Sequence, residues 1–472
     1  MNMHPAALIP ELTLVAGAVL GLLLGAWLPR HRQWLVRLLA ALACLAGLAA
    51  TAVAMGNGPR MVFGGSYAVD VATNAGRIIV LAATLLTICL SIETVESHQR
   101  ETEFYVLMQL AALGTITLTG AADLLLLVAG YLLASVPLYA LAGFVKDAPG
   151  TEASLKYYLM GALLGVTMLT GITILYGTGR STGYATLAQN LPAAPRAAVA
   201  VGIVAVLAGL LFKIGAVPAH FWVPDVTEGA STPVAAFVTT VPKIGGLIAV
   251  YRLVAEALPT VGVNWSLLVA VLAVASMTLG NLAAFFQDTV RRLLAYSTIG
   301  QVGYILLAVA VATRSEIALP ALLFYLAAYA VTNLGAFAVV AELPHAPRLV
   351  DYRGLARRHP GLAAVLVVCL LGLVGTPPTG VFLGKLEVFS AAIDGGYTWL
   401  AVVAVANTVA SLFYYLRWIA PALVAVPETA SDTLVPAGRW SAVGAYTAGA
   451  ASLALGLAGG IVLPLLTGSL LP

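Results

Sequence analysis

Three lysines, Lys213, Lys243 and Lys385, each stand inside a long apolar run. A charge at the middle of a bilayer costs about 2.5–3.5 kcal/mol even on the lenient insertion scale, so such a residue belongs in a polar interior and marks function by default. The bland alternative is a lysine whose stem follows apolar surface while its head reaches the interface; three in one chain argue against it. Residue type matters too, because burial can bring a lysine to its neutral form near neutral pH whereas an arginine stays charged. Lysines can therefore load and release protons. Two of the three lie beside Pro/Gly interruptions: Lys213 precedes Gly215-Ala216-Val217-Pro218, and Lys385 follows Gly375-Thr376-Pro377-Pro378-Thr379-Gly380. Helices broken at corresponding places in two halves are a sequence sign of a transporter built from inverted repeats, the alternative being ordinary proline kinks. Lys243, just after Pro242, is placed as a relay by its order along the chain. His220, past the Pro218 break, titrates near neutral pH, although a lone histidine near a helix end is as often structural. Of the twenty Asp and Glu residues, Glu387 alone lies deep in an apolar run, with Asp123 at the margin of another. Glu387 is two residues after Lys385, a spacing that points the two apart on an ideal helix and that a break relaxes. Candidates for a proton path are thus Lys213, Lys243, Lys385, His220 and Glu387. The segment Pro224 to Glu228 either lines an entrance or is a solvated turn.

The elements that must position these residues are transmembrane helices. Of 472 residues, 61% are hydrophobic and 9% charged, against roughly 25% charged in a soluble globular chain. Apolar runs of about 20 residues, each able to cross the hydrocarbon as a helix, recur from end to end. Their punctuation predicts about fourteen helices, near 9–28, 34–55, 75–95, 104–121, 123–144, 155–177, 199–217, 232–256, 265–286, 291–312, 317–341, 361–391, 398–420 and 440–465. The fold class expected is an all-α integral membrane protein. The first run precedes Pro29-Arg30-His31-Arg32, the reverse of a signal peptide's charge order, and reads as a retained helix. Orientation follows from the basic residues of the connections and helix ends. With the N-terminus outside, fourteen of the 23 fall on the cytoplasmic side, and six (Arg60, Arg77, Arg180, Arg196, Arg252 and Arg314) on the other. Both termini are therefore expected to face the periplasm. Cys44, Cys89 and Cys369 sit in apolar runs without ligand spacing and read as packing residues. A net charge of +3 without a basic, aromatic-interleaved cluster argues against a nucleic-acid partner.

Several segments resemble the antiporter-like membrane subunits of respiratory complex I (NADH-quinone oxidoreductase), in the branch of subunit N and mitochondrial subunit 2. The resemblance is carried by Glu152-Ala153-Ser154-Leu155-Lys156-Tyr157-Tyr158, by Phe212-Lys213-Ile214-Gly215-Ala216-Val217-Pro218-Ala219-His220-Phe221-Trp222-Val223-Pro224-Asp225, and by Ala295-Tyr296-Ser297-Thr298-Ile299-Gly300-Gln301-Val302-Gly303-Tyr304. Asn333-Leu334-Gly335-Ala336-Phe337, Asp351-Tyr352-Arg353-Gly354-Leu355 and the Gly375 to Lys385 stretch continue it. It implies fourteen helices with two inverted five-helix repeats (helices 4–8 and 9–13), broken helices 7 and 12, and a central axis onto which Lys213, Lys243 and Lys385 map. The single polytopic domain would divide into N-terminal helices (1–100), a first repeat (104–256), a second repeat (265–420) and a C-terminal helix (421–472). One departure stands out: where the family carries a glutamate, three residues before the serine of a Ser-Leu-Pro-Leu-Tyr-like segment, to pair with the helix 7 lysine, this chain has Leu132 before Ser135-Val136-Pro137-Leu138-Tyr139, so the resemblance implies that Lys213 lacks that partner.

The function implied is proton translocation within a complex I-type assembly in the bacterial inner membrane, coupled to quinone reduction through the lysine axis. This chain shows no Cys-rich cluster motif, paired haem ligands or dinucleotide fingerprint. NADH, FMN, iron–sulfur clusters and quinone are accordingly expected in partner subunits, none bound here, and the partners are other membrane subunits, the hydrophilic redox arm behind them, and lipid. Two alternatives stay open. One is a subunit of a multisubunit cation/proton antiporter or a membrane-bound hydrogenase; the other is a non-pumping structural subunit, which Leu132 suggests.

Overall fold

The structure, a computed structural model, describes residues 4–96, 98–259, 261–424 and 433–471. Part of the connection before the expected last helix (425–432) lies outside the described residues, as do 1–3 and 472 of the expected terminal segments. In lipid every backbone N–H and C=O must be satisfied within the chain, and helices do this segment by segment. Accordingly α1 (Ile9–Trp27) and α2 (Trp34–Met55) are followed, among the described residues, by one small hairpin, β1 (Arg60–Val62) antiparallel to β2 (Tyr67–Val69) with Met61 opposite Ala68, and the remaining named elements are helices. These are α3 (Val71–Val95), α4 (Glu101–Gly120), α5 (Leu124–Leu133), α6 (Val136–Ala142), α7 (Ala148–Gly179), α8 (Tyr184–Asn190), α9 (Arg196–Ile214), α10 (Trp222–Gly229), α11 (Thr232–Arg252) and α12 (Trp265–Ala284). There follow α13 (Val290–Ala310), α14 (Ala318–Glu342), α15 (Leu355–Arg358), α16 (Pro360–Val374), α17 (Gly380–Asp394), α18 (Thr398–Leu423), α19 (Trp440–Leu457) and α20 (Gly459–Leu465).

Local chemistry sets the starts. Asp70, Asp123, Asp147 and Asn264 each accept a backbone N–H in the first turn of α3, α5, α7 and α12, satisfying donors that a helix leaves unpaired. Within the spans, hydroxyls such as Thr51, Thr84 and Thr115 fold back on the carbonyl four residues earlier, which hides a polar group without breaking the helix.

Among the described residues eleven helical segments are long and apolar enough to cross a membrane, twelve when α19 and α20 count as one span bent by 81°. Of the fourteen predicted positions the two others are α4, whose first turn carries Glu101 and Glu103, and the α16–α17 pair, each only 15 residues long. The predicted helix 123–144 is interrupted at Ala134–Ser135, where Pro137 follows in the first turn of α6. Helix 75–95 begins earlier, at Val71, because Asp70 caps it. This shift corrects the assignment of Arg77 to a connection or helix end: it lies a turn and a half inside α3 and is fully buried. Arg252 at the end of α11 is likewise fully buried rather than solvated.

Burial sorts the helices. The span through α11 is wholly enclosed and those through α13 and α14 nearly so, at 94% and 89%, whereas α2, α7 and α18 are 33% buried. The enclosed helices carry the polar side chains. The outer ones expose leucine and valine.

Candidate functional site

Two of the central spans are broken. α9 ends at Gly215, whose left-handed backbone (φ 71°, ψ 37°) returns its N–H to Leu211 and Phe212; residues 216–221 are non-helical and α10 resumes at Trp222. α16 ends at Gly375 in the same way (φ 91°, ψ 55°), and α17 resumes at Gly380. Each break includes a cis X–Pro bond, Val217–Pro218 and Pro377–Pro378. A positive φ excludes most side chains, so glycine is what lets each half-helix stop at depth.

The three lysines gather at these stops. Lys213 is in the last turn of α9 and 1% exposed; Lys243, in mid-α11, is 0% exposed; Lys385, in α17, is 3% exposed. The stem of Lys213 lies across Gly246 of α11, and the ammonium of Lys243 reaches Gly215, where an added Cβ would sit 2.9 Å from Nζ. The two lysines thus cross at the α9–α11 contact. Lys385 Nζ donates to the Val374 carbonyl at the end of α16 (2.7 Å) and to Thr408 Oγ1 (3.4 Å), and its stem packs on Gly375. Aromatic faces complete the cages: Tyr131 is 5.3 Å from Lys213 Nζ and Tyr304 is 4.0 Å from Lys385 Nζ.

Among the described residues none of the three lysines pairs with a carboxylate, and the Nζ atoms of Lys213 and Lys243 have no hydrogen-bond partner. What stands in for an acid is the C-terminal end of a half-helix, where unpaired carbonyls and the helix dipole favour a cation by about 0.3–2 kcal/mol. A ring face adds roughly 0.5–2 kcal/mol. Lys213 sits in such an end; Lys385 reaches one from the next segment.

His220 falls in the first break, buried at 5% exposure with Nδ1 unpartnered, its ring 4.5 Å from that of Phe221. Glu387 is half-buried on α17, and no hydrogen bond or ion pair joins it to Lys385 among the described residues. Leu132 is 45% exposed on the outer surface, while its neighbour Tyr131 is the residue that meets Lys213. Asp225 is held by Lys156 (2.9 Å) and Arg292 (3.4 Å), which makes the Pro224 to Glu228 segment a tethered helical turn rather than a free loop.

Sequence reasoning missed the groups between the lysines. On α11, Thr239 and Thr240 lie four and three residues before Lys243, on its face. Asn333 of α14 donates to both hydroxyls (3.3 and 2.8 Å), and Tyr329 donates to the Thr239 carbonyl (2.8 Å) while its oxygen accepts from Thr298 of α13 (3.1 Å). One turn along α13, Gln301 accepts from Tyr325 (2.7 Å) and donates to the Leu373 carbonyl (2.8 Å), next to the carbonyl that holds Lys385. Hydroxyls and amides thus run from the Lys243 face to the second break. Each of these residues is an ordinary Thr, Tyr, Asn or Gln in an apolar run, and only the spacing of Thr298 and Gln301 on one face of α13 was a usable signal.

The census of acids also missed five that the fold buries: Glu11, Asp70, Glu101, Glu256 and Glu342. Glu11 forms a two-pronged pair with Arg77 (2.7 and 2.8 Å) and accepts from Tyr67 (2.7 Å). All five lie near helix ends in sequence, which is why an apolar-run criterion passes over them. Cys44 and Cys369 are buried and Cys89 partly so, and among the described residues no three His, Cys, Asp or Glu side chains come together as metal ligands.

Comparison with known proteins adds sequence to this geometry. Residues 121–411 match the family model described as NADH:quinone oxidoreductase/Mrp antiporter, TM. NADH-quinone oxidoreductase subunit N 1 of Streptomyces griseus subsp. griseus is 58% identical over 463 residues, spanning 98% of both chains. A chain of respiratory complex I from Thermus thermophilus superposes with a TM-score of 0.84 at 33% identity, covering 98% of this chain and 100% of its own. A chain of the Mrp complex of Dietzia sp. DQ12-45-1b superposes at 0.86 with 23% identity, over 98% of this chain and 97% of its own, which is a likeness of fold.

Proposed function

Because the chain belongs to the NADH:quinone oxidoreductase/Mrp antiporter membrane-subunit family, we propose that it is a subunit N-type, proton-translocating membrane subunit of a bacterial NADH-quinone oxidoreductase. The observation that carries this reading is the set of three enclosed lysines, unpaired with carboxylates and gathered at two helix breaks, with buried hydroxyls and amides lying between the breaks. In such a site a small movement of either half-helix end changes the stabilisation of an ammonium, so charge state and backbone position are linked. Lys213 and Lys243 load and exchange a proton at the first break; Thr240, Asn333, Tyr329, Thr298 and Gln301 line the polar route toward Lys385; His220 serves the first break and Glu387 the flank of the second. This assignment follows the two-repeat division at 104–256 and 265–420.

Electron transfer belongs to partners in this reading. NADH, FMN, iron–sulfur clusters and quinone sit in other subunits and this chain holds no redox centre, so redox energy arrives as a conformational or electrostatic push along the membrane arm. The protein lies in the inner membrane with both termini on the periplasmic side, as the excess of basic residues on the opposite face requires. The exposed leucine and valine of α7 and α18 are where lipid and neighbouring membrane subunits pack.

The test is proton uptake into inverted membrane vesicles, normalised to NADH oxidation, for the assembled oxidoreductase carrying Lys213→Ala or Lys385→Ala. Both are expected to lower the ratio, Lys385→Ala more, since its ammonium is the one fixed by a half-helix carbonyl and a ring together. An unchanged ratio in both variants refutes the reading; a larger loss at Lys213 refutes the precedence of the second break.

A further inference from the structure

At the end of α11 remote from its cytoplasmic start, the helix widens into a π turn, Leu253–Ala257. Such insertions are rare and concentrate at functional sites. Here the turn gathers one cation and two carboxylates with almost no solvent contact: Arg252 at 0%, Asp70 at 1% and Glu256 at 8% exposure.

The two acids are held differently. Asp70 accepts Arg252 Nη2 on both oxygens (2.8 and 2.8 Å), the Thr73 N–H (3.1 Å) and the Leu471 N–H (3.2 Å). It is a fully satisfied carboxylate. Glu256 has Arg252 Nη1 on Oε1 at 2.5 Å, but its Oε2 is buried with no partner. Arg252 is spent on both acids and on the Thr119 carbonyl (3.2 Å). With both acids ionised the enclosed cluster would carry one uncompensated negative charge, and an unsatisfied buried carboxylate oxygen is expensive. A single proton on Glu256 removes the excess charge and replaces a buried, unsatisfied carboxylate oxygen with a neutral carboxyl, which costs less to bury.

We propose that Glu256 is a proton-binding site, a second protonatable station on α11 about three and a half turns beyond Lys243, with Tyr184 as its hydroxyl neighbour. Tyr184 opens α8, which packs on the π turn, and its OH is buried without a partner. The charged and titratable groups facing the site are Arg252 from α11, Asp70 from the start of α3, Tyr184 from α8, and Asp123, which holds the strand-like segment before α8 through Thr182 (2.6 Å). Two cavities approach the cluster: Asp70 lines one of about 590 Å³ and Ala255 of the π turn one of about 840 Å³, with Thr467 and Gly468 forming a wall of each and Glu256 itself lying behind them. The proton comes from water in these cavities, and Glu256 passes between carboxylate and carboxylic acid.

The role in transport rests on the proton-path reading above, but the binding itself is measured apart from it. The experiment is infrared difference spectroscopy across a pH titration of the full chain in lipid, wild type against Glu256→Gln and Glu256→Asp. The expected result is a protonated-carboxyl stretch that disappears as pH rises in wild type, is missing from Glu256→Gln and is displaced in Glu256→Asp. Should Glu256→Gln fail to fold, the displaced band of Glu256→Asp decides, because aspartate keeps the carboxyl. Wild-type and variant spectra that superpose throughout the titration overturn the proposal. Tyr184→Phe is expected to keep the band and shift its midpoint; an unmoved midpoint removes Tyr184 from the site. Lysine variants with unchanged proton uptake would sink the transport reading while leaving this titration as it stands.

Discussion

Gly215→Ala isolates what the first break does for Lys243. The glycine adopts φ 71°, where an alanine pays about 1–2 kcal/mol for the left-handed backbone. Its Cβ would also lie 2.7 Å from Val223 Cγ2 and 2.9 Å from Lys243 Nζ, closer than such atoms sit. Of those neighbours the ammonium is the far end of a flexible chain, so it is the one that moves more readily. Gly396 provides the control: it has φ 80° and nothing within 4 Å of an added Cβ, so Gly396→Ala carries the backbone cost alone. In thermal unfolding of the purified protein Gly215→Ala should lose more stability than Gly396→Ala, because Val223 must also give way. In inverted vesicles only Gly215→Ala should lower proton uptake per NADH oxidised, and adding it to Lys243→Met should cost little more than Lys243→Met alone, since a displaced group that is already gone cannot be displaced again. Equal, wild-type-like proton uptake in Gly215→Ala and Gly396→Ala would refute the idea that the ammonium must rest against the broken end.

Other expectations follow from the same geometry. Arg252→Met leaves Asp70 and Glu256 buried without their cation, and breaking such a cluster by removing one partner costs about 3–5 kcal/mol; a thermal midpoint like that of wild type would contradict the burial of the pair. Arg77→Met, which strips Glu11 of both its charged hydrogen bonds, should destabilise by the same mechanism and be read in the same scan. Gln301→Leu cuts the link between Tyr325 and the Leu373 carbonyl, so proton uptake should fall while NADH oxidation driven by partner subunits persists in uncoupled membranes. A parallel fall of both rates would place Gln301 in assembly instead.

How much was legible from the residues differs from group to group. Lys213, Lys243 and Lys385 were found because a charge in an apolar run is expensive and therefore conspicuous. The breaks were found because Gly215 to Pro218 and Gly375 to Gly380 concentrate the residues a helix cannot continue through. Tyr131 and Tyr304 were invisible, since an aromatic in an apolar run reads as core, and whether its face meets an ammonium depends on which helix lies opposite. Leu132 illustrates the converse: its place beside the Ser135 segment suggested a lost partner for Lys213, yet in space Tyr131 faces that lysine while Leu132 is on the outside. Arg77 and Arg252 were read as helix-end charges because local sequence cannot tell an end that meets water from one that meets Glu11 or Asp70.

By itself the sequence determined a membrane-spanning, all-helical chain, the depth of its three lysines and the places where two spans must break, because these depend on hydropathy and backbone preference within a few residues. Tertiary structure alone decided which groups surround the lysines, that a half-helix end and a ring stand in for a carboxylate, and that Asp70, Arg252 and Glu256, 182 positions apart between the first two, close into one buried cluster. Those outcomes depend on how helices far apart in the chain are arranged against one another, and no pattern within a single helix records its neighbour.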